Sequence, residues 1–279
     1  MTGTGRGGGG LPPRILLAHG LLAELYLACR IDYMVSQATW LRARGAEVAV
    51  VPCPSSAAIA ANAARIAQAL LADPRPALLV AHSKGGLEAL AALLDPAAES
   101  RCAGLIAFQS PFFGAPLADA IAARPGWHGA ARLLARGLRI GEGAGLADLT
   151  TAARQRWMQG HGAAVAALLA RLPVATIASD LAETAQGPDR RYLPTARWIH
   201  RQGLGPNDGL VPVAAALLPG AGQLVLPGGH RGLISRGRGR DPIGALQAGL
   251  ELLGMGVARV DSAGGKGAAF PPRPPYPPK

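Results

Sequence analysis

The stretch Leu78-Leu79-Val80-Ala81-His82-Ser83-Lys84-Gly85-Gly86 constrains the fold of this chain more than any other. A short apolar run stops at a serine and continues into an Ala- and Leu-rich segment, the pattern of a buried strand, a tight turn and a helix start. A nucleophile at the apex of such a turn has a strained backbone, so the positions two before and two after it must be small. Ala81 and Gly85 meet that need, with alanine standing where the G-x-S-x-G elbow pattern has glycine. Serine is also a favoured helix N-cap, and a glycine pair permits close packing. The pentapeptide alone therefore leaves catalysis and plain architecture both open.

The neighbouring segments set that elbow in a repeating frame. Arg14 to Ala18 (RILLA) reads as a buried strand running into His19-Gly20-Leu21-Leu22. A glycine there lets the next backbone N–H face a substrate oxygen, although an ordinary strand-to-loop turn has the same look. Tyr33 to Ala43 has helical spacing, with Val35, Trp40 and Leu41 as expected core contacts, and Gly45 stops it. Glu47 to Val51 is the next strand, Ile59 to Leu71 an Ala-rich helix, Leu87 to Leu94 another, and Leu105 to Phe108 a fourth strand. Strands alternating with helices predict an α/β fold with a mostly parallel sheet covered on both faces. Further on, Val174 to Ala178, Arg197 to His200 and Gln223 to Leu226 read as strands. Asp241-Pro242 then opens a helix to about Leu253.

Between the fourth strand and Val174 the periodicity turns helical, and residues 117–171 are expected to form a cap or lid inserted over the carboxyl ends of the strands. Trp127, Leu133, Leu134, Trp157 and Met158 suit either its underside or its packing onto the body. With 279 residues and 49% apolar content, the chain is expected to form one domain over residues 14–260. A Gly-rich disordered segment over 1–13 and a Pro-rich disordered tail over 261–279 flank it.

The net charge of +11 invites a nucleic-acid reading, but 25 of the 28 basic residues are scattered arginines and only four Phe, four Tyr and four Trp accompany them. No basic-aromatic module stands out, so no nucleic acid is expected as a partner; peripheral contact with anionic lipid interfaces remains compatible with the charge. Cys29, Cys53 and Cys102 lack C-x-x-C spacing and read as small buried residues rather than a disulfide framework or zinc site. No apolar run has membrane-spanning length and no signal peptide is visible, so a cytoplasmic location is expected, with secretion open if the start site lies elsewhere.

Two later stretches bear on Ser83. Asn207-Asp208-Gly209-Leu210-Val211-Pro212 puts a carboxylate in a turn, and Pro227-Gly228-Gly229-His230 puts a histidine in a loop after the last strand. A serine hydroxyl is a poor nucleophile until a histidine takes its proton, and the histidine needs an acid to fix its tautomer. The candidate triad is Ser83, Asp208 and His230, with the backbone N–H groups of Leu21 and Lys84 as oxyanion donors. Asp148 and Asp180 are the alternative acids, and His82 is expected to point away from the nucleophile. The Lys84 side chain is read as pointing to solvent.

In this order, HGLL at His19, AHSKGG at Ala81, QSPFFGAPLAD at Gln109, GLADLTTAA at Gly145, NDGLVP at Asn207 and the loop His230 resemble the α/β-hydrolase superfamily, most of all bacterial triacylglycerol lipases and related esterases. The resemblance implies a parallel sheet with a helical lid and a serine carboxylic-ester hydrolase working through an acyl-enzyme without a cofactor. It implies substrate contacts from His19, Gly20, Phe112, Phe113 and Leu117, and an acyl-ester or lipid substrate. Many such lipases hold calcium with an acidic residue two positions after the histidine; Gly232 stands there, so no calcium requirement is expected. The same triad serves acyl transfer, thioester cleavage or polyester depolymerisation, and a hydrolase-like fold can also bind partners without chemistry. Oligomeric state is left open.

Overall fold

The computed structural model describes residues 10–123 and 144–255. Strands β1 (Arg14–Ala18), β2 (Glu47–Val50), β3 (Ala77–His82), β4 (Cys102–Phe108), β5 (Val174–Asp180) and β6 (Gly222–Pro227) form one sheet in the order β2-β1-β3-β4-β5-β6. Every pairing is parallel. The four inner strands are nearly continuous apolar runs because helices cover both of their faces, whereas edge strand β2 is largely exposed and β6 alternates.

The period of two along each strand divides the core. Leu16, Leu79, Ala81, Leu105 and Ala107 pack on one face against Ile66 and Leu70 of α3 (Ile59–Leu71) and Leu87 and Leu90 of α4 (Lys84–Ala92). Ile15, Leu17, Leu78, Val80 and Ile106 pack on the other against α2 (Val35–Arg42) and the C-terminal helix Pro242–Leu252. Asp241 caps that last helix by accepting from Gly244 N at 2.8 Å, with Pro242 in its first turn. The remaining short helices before the cap are α1 (Ala23–Ala28) and α5 (Pro96–Glu99).

Between β4 and β5 run α6 (Pro116–Ala122), a single turn α7 (Ala144–Ala147) and the long α8 (Thr151–Leu169). Trp127, Leu133 and Leu134 lie outside the described residues, as do 1–9 and the expected tail. Trp157 and Met158 pack against the core cluster on the α3 side, so they fasten α8 to the body. Asp119 accepts from the N–H and hydroxyl of Thr151 at 2.8 and 2.5 Å, tying the start of α8 to α6.

Four expectations need correction. The segment read as a strand at Arg197 to His200 lies in helix α9 (Leu193–Arg201); Pro194 opens it, and Ala196 and Ile199 form its buried face. Four residues are too few to separate the two periods. In α2, Val35 is exposed, and Met34, Ala38 and Leu41 are buried instead. Met34 enters the helix with φ of 60°, which turns the apolar face by a residue. Cys29 is exposed and Cys53 half-buried, leaving only Cys102 in the core. Lys84 is buried, not solvated, and pairs with Glu88 one turn along α4.

Candidate active site

Ser83 sits between β3 and α4 with φ 55° and ψ −126°, a conformation an L-residue adopts only under constraint. The constraint is steric closeness on both sides. A Cβ on Gly85 would stand 2.4 Å from the Ala18 carbonyl oxygen, and one on Gly20 would stand 2.8 Å from Ser83 Cβ. A Cβ on Gly86 would lie 2.0 Å from Ser110 Oγ. The glycines thus let the loop after β1 and the elbow meet at backbone distance and bring the Ser110 side chain of the loop after β4 against α4.

Asp208 follows Asn207, whose side-chain oxygen accepts from Gly209 N at 3.0 Å and closes the turn. One Asp208 oxygen accepts from the N–H groups of Leu210 and Val211, both at 2.8 Å, which fixes the carboxylate's direction. The other oxygen takes a hydrogen bond from His230 Nδ1 at 2.8 Å. With its proton on Nδ1, His230 presents Nε2 as an acceptor to the Ser83 hydroxyl at 3.0 Å. The structure therefore brings Ser83, His230 and Asp208 into one hydrogen-bonded line, all but closed to solvent. The alternative acids are occupied elsewhere: Asp148 accepts from Ile59 N at the start of α3, and Asp180 from Asn207 N.

The His230 loop is held by residues far away in the sequence that give no local sign of this task. Asp189, in the 3-10 turn Gly187–Tyr192, accepts from Gly229 N at 3.0 Å and pairs with Arg240, whose Nε lies at 2.9 Å. Gln109, forced to φ 52° after β4, donates to the Gly229 carbonyl at 2.9 Å and also to Ser179. A third tie runs through Tyr33. Its hydroxyl accepts from Gly20 N at 3.0 Å and so donates its proton to His82 Nδ1 at 2.6 Å; His82 Nε2–H donates in turn to the His230 carbonyl at 2.8 Å. His82 points away from Ser83 into this chain, and burial pushes its basicity well below the ordinary histidine range, which keeps it neutral. Burial also raises the Tyr33 phenol, so it remains a proton donor.

A cavity of about 150 Å³ opens beside Ser83 and His230, walled chiefly by Leu21, Leu117, Ile121, Leu146, Leu149 and Val211. Leu117 lines it, but Phe112 is fully buried in the core and Phe113 packs against Val211 and against Ala178 near the carboxyl end of β5. Their place on the wall is taken by Pro111 and Ala115 on either side of them. Gly20 lies against the elbow, and His19 stacks edge-on against Tyr33 at 5.1 Å, its pKa lowered by burial to about 4. Among the described residues the Leu21 N–H has no backbone hydrogen-bond partner, and the Lys84 N–H opens α4, where no intrahelical acceptor exists. The Lys84–Glu88 pair is extended by Asn62 Nδ2, which donates to Glu88 at 2.7 Å. Burial holds the Glu88 carboxyl above its usual range.

No protein-family model matches the chain, and no curated protein matches it in sequence. Its fold does match solved structures. The mature form of lipase BlEst2 from Bacillus licheniformis superposes with a TM-score of 0.60 and 22% identity, covering 78% of this chain and 84% of the lipase. A metagenomic carboxyl esterase gives 0.65 and 22%, covering 88% and 73% respectively. Staphylococcus hyicus lipase gives 0.57 and 12%, covering 84% and 91%. With its parallel six-stranded sheet flanked by helices, the chain has the α/β-hydrolase fold that these bacterial lipases and esterases share.

Proposed function

We propose that the protein is a serine carboxylic-ester hydrolase, and the observation that carries the proposal is the Ser83–His230–Asp208 line beside an apolar cavity. Ser83 Oγ attacks the ester carbonyl as His230 Nε2 takes its proton, and Asp208 stabilises the imidazolium that forms. The N–H groups of Leu21 and Lys84 receive the developing oxyanion. One such donor contributes about a hundredfold or more to turnover. His230 then gives its proton to the leaving alcohol, and water attacks the acyl-enzyme with His230 again as base.

The leucines and isoleucine around the cavity suit the acyl chain of a lipid or another apolar ester, so medium and longer acyl chains are the expected preference. The test is hydrolysis of p-nitrophenyl esters from acetyl to palmitoyl by the purified protein and by Ser83→Ala, with EDTA present. The expected result is metal-independent turnover that falls about a thousandfold or more in the variant. Wild-type turnover that survives Ser83→Ala, or acetyl esters outpacing octanoyl by a large factor, would remove the mechanism or the lipase-like preference respectively.

A further inference from the structure

Arg231 follows the histidine directly and is among the largest fully buried side chains. It lines the same cavity as Ser83 and His230. Its guanidinium lies 4.1 Å over the Tyr26 ring, and its Nε donates to the Tyr192 hydroxyl at 3.2 Å. Nη1 is buried and finds no hydrogen-bond acceptor, and no carboxylate among the described residues pairs with the side chain. The other buried arginines are provided for differently. Arg240 pairs with Asp189, and Arg14 donates to the carbonyls of Ala69, Leu70 and Arg75 and lies near Asp73. Arg154, also short of one partner, donates to the Phe112 carbonyl and lies outside the cavity wall.

A buried cation with only a ring face and one phenol is costly unless something else supplies the negative charge. Here the side chain that carries the unpaired donor lines the same space that an ester must occupy to reach Ser83. A guanidinium fork matches the paired oxygens of a carboxylate or phosphate. We propose that Arg231 is an anion-reading residue of the cavity, and that the substrates are esters carrying a second, anionic group, a carboxylate or a phosphate monoester, which pairs with Arg231 while Ser83 attacks the ester carbonyl. The inference rests on the ester-hydrolase reading for its chemistry, but not for its binding. The reaction is simple hydrolysis: the acyl C–O bond breaks, water supplies the new C–O bond and both protons, and the anion is unchanged.

Three measurements test it. The first compares kcat/KM for p-nitrophenyl hydrogen glutarate against p-nitrophenyl valerate, which places the anion on the acyl side. The second compares butyryl glycerol 3-phosphate against monobutyrin, which places it on the alcohol side. The third is calorimetric titration of glutarate and of phenyl phosphate into the wild-type protein and Arg231→Met. An anionic preference of about tenfold to a hundredfold is expected in one of the two ester pairs, as for a charge-assisted hydrogen-bonded pair. The arm that shows it distinguishes carboxylate from phosphate. In Arg231→Met the anionic-to-neutral ratio should collapse toward one and the matching anion should bind about tenfold more weakly or not at all, with Arg231→Lys between.

Neutral esters hydrolysed as well as both anionic ones, with neither anion bound through Arg231, would overturn the inference and leave the hydrolase reading standing. Arg231-dependent anion binding without turnover of any ester would do the opposite. If Arg231→Met does not fold, the wild-type ratios and the Arg231→Lys titration decide.

Discussion

The elbow and the histidine loop reach the same few cubic ångströms by different means. Ser83 is positioned by backbone: a strand, a helix start and three glycines that let neighbouring main chains touch. His230 is positioned by side chains, since Asp189, Gln109 and the Tyr33–His82 relay each hold its loop from a different part of the chain. A backbone-built element is broken by adding atoms, and a side-chain-built element is broken by removing them.

The largest effect on the loop side is expected from Asp189→Ala, which frees Gly229 N–H and strips Arg240 of its carboxylate. Breaking a buried pair in this way should cost about 3–5 kcal/mol in urea or thermal unfolding and reduce ester turnover along with it. A loss under about 1 kcal/mol would mean the loop holds itself. On the elbow side Gly85→Ala comes next, at about 3 kcal/mol, because the Ala18 and His19 carbonyls have no room to retreat. The same unfolding experiment checks it, and a neutral outcome would show that the β1 loop can slide.

Tyr33→Phe is gentler and joins the two regions. It leaves Gly20 N–H and His82 Nδ1 without their shared partner, a cost of about 1–3 kcal/mol. Turnover should fall more than KM changes, since the hydroxyl links Gly20 N–H in the loop after β1 to His82 and through it to the His230 loop. Equal stability in Tyr33→Phe and wild type would break the relay.

The smallest effect is the pH dependence of stability. His19 and His82 are held neutral by burial, with folded pKa values below the unfolded 6.5. Between about 4 and 6.5 the unfolded chain binds protons at His19 that the folded chain refuses, so stability falls as pH falls through that window. The slope per histidine approaches 1.4 kcal/mol per pH unit, and His82, also held low by burial, adds to it in the same direction. Glu88 opposes it, because its raised folded pKa makes the folded state the better proton binder above the carboxylate range. A melting temperature that rises as pH falls from 6.5 to 4 would reverse the sign and show that Glu88 outweighs the histidines.

Much of this was legible before any coordinates. The strand–elbow–helix unit and the parallel sheet follow from periodicity and from glycines at fixed offsets, which are local properties. The serine, acid and histidine were found as residue types at strand ends, while their distances were not. The Lys84 side chain was misread although Glu88 at i+4 signalled a partner, because burial of that face depends on the Asn62 contact from α3. Phe112 and Phe113 were misplaced for a related reason: adjacent residues in an irregular loop have no fixed period to say which one faces the core.

The sequence by itself determined the layers of this protein and the turn that carries Ser83, since patterns of two and 3.6 residues and the tolerance of glycine act over a few positions. Only the tertiary structure decided that Asp208 reaches His230, that Asp189 and Gln109 hold its loop, and that Arg231 is buried against Tyr26 on the cavity wall. Those contacts join residues 22 to 205 positions apart, and their energy comes from shared burial, which no single segment possesses until the others have packed around it.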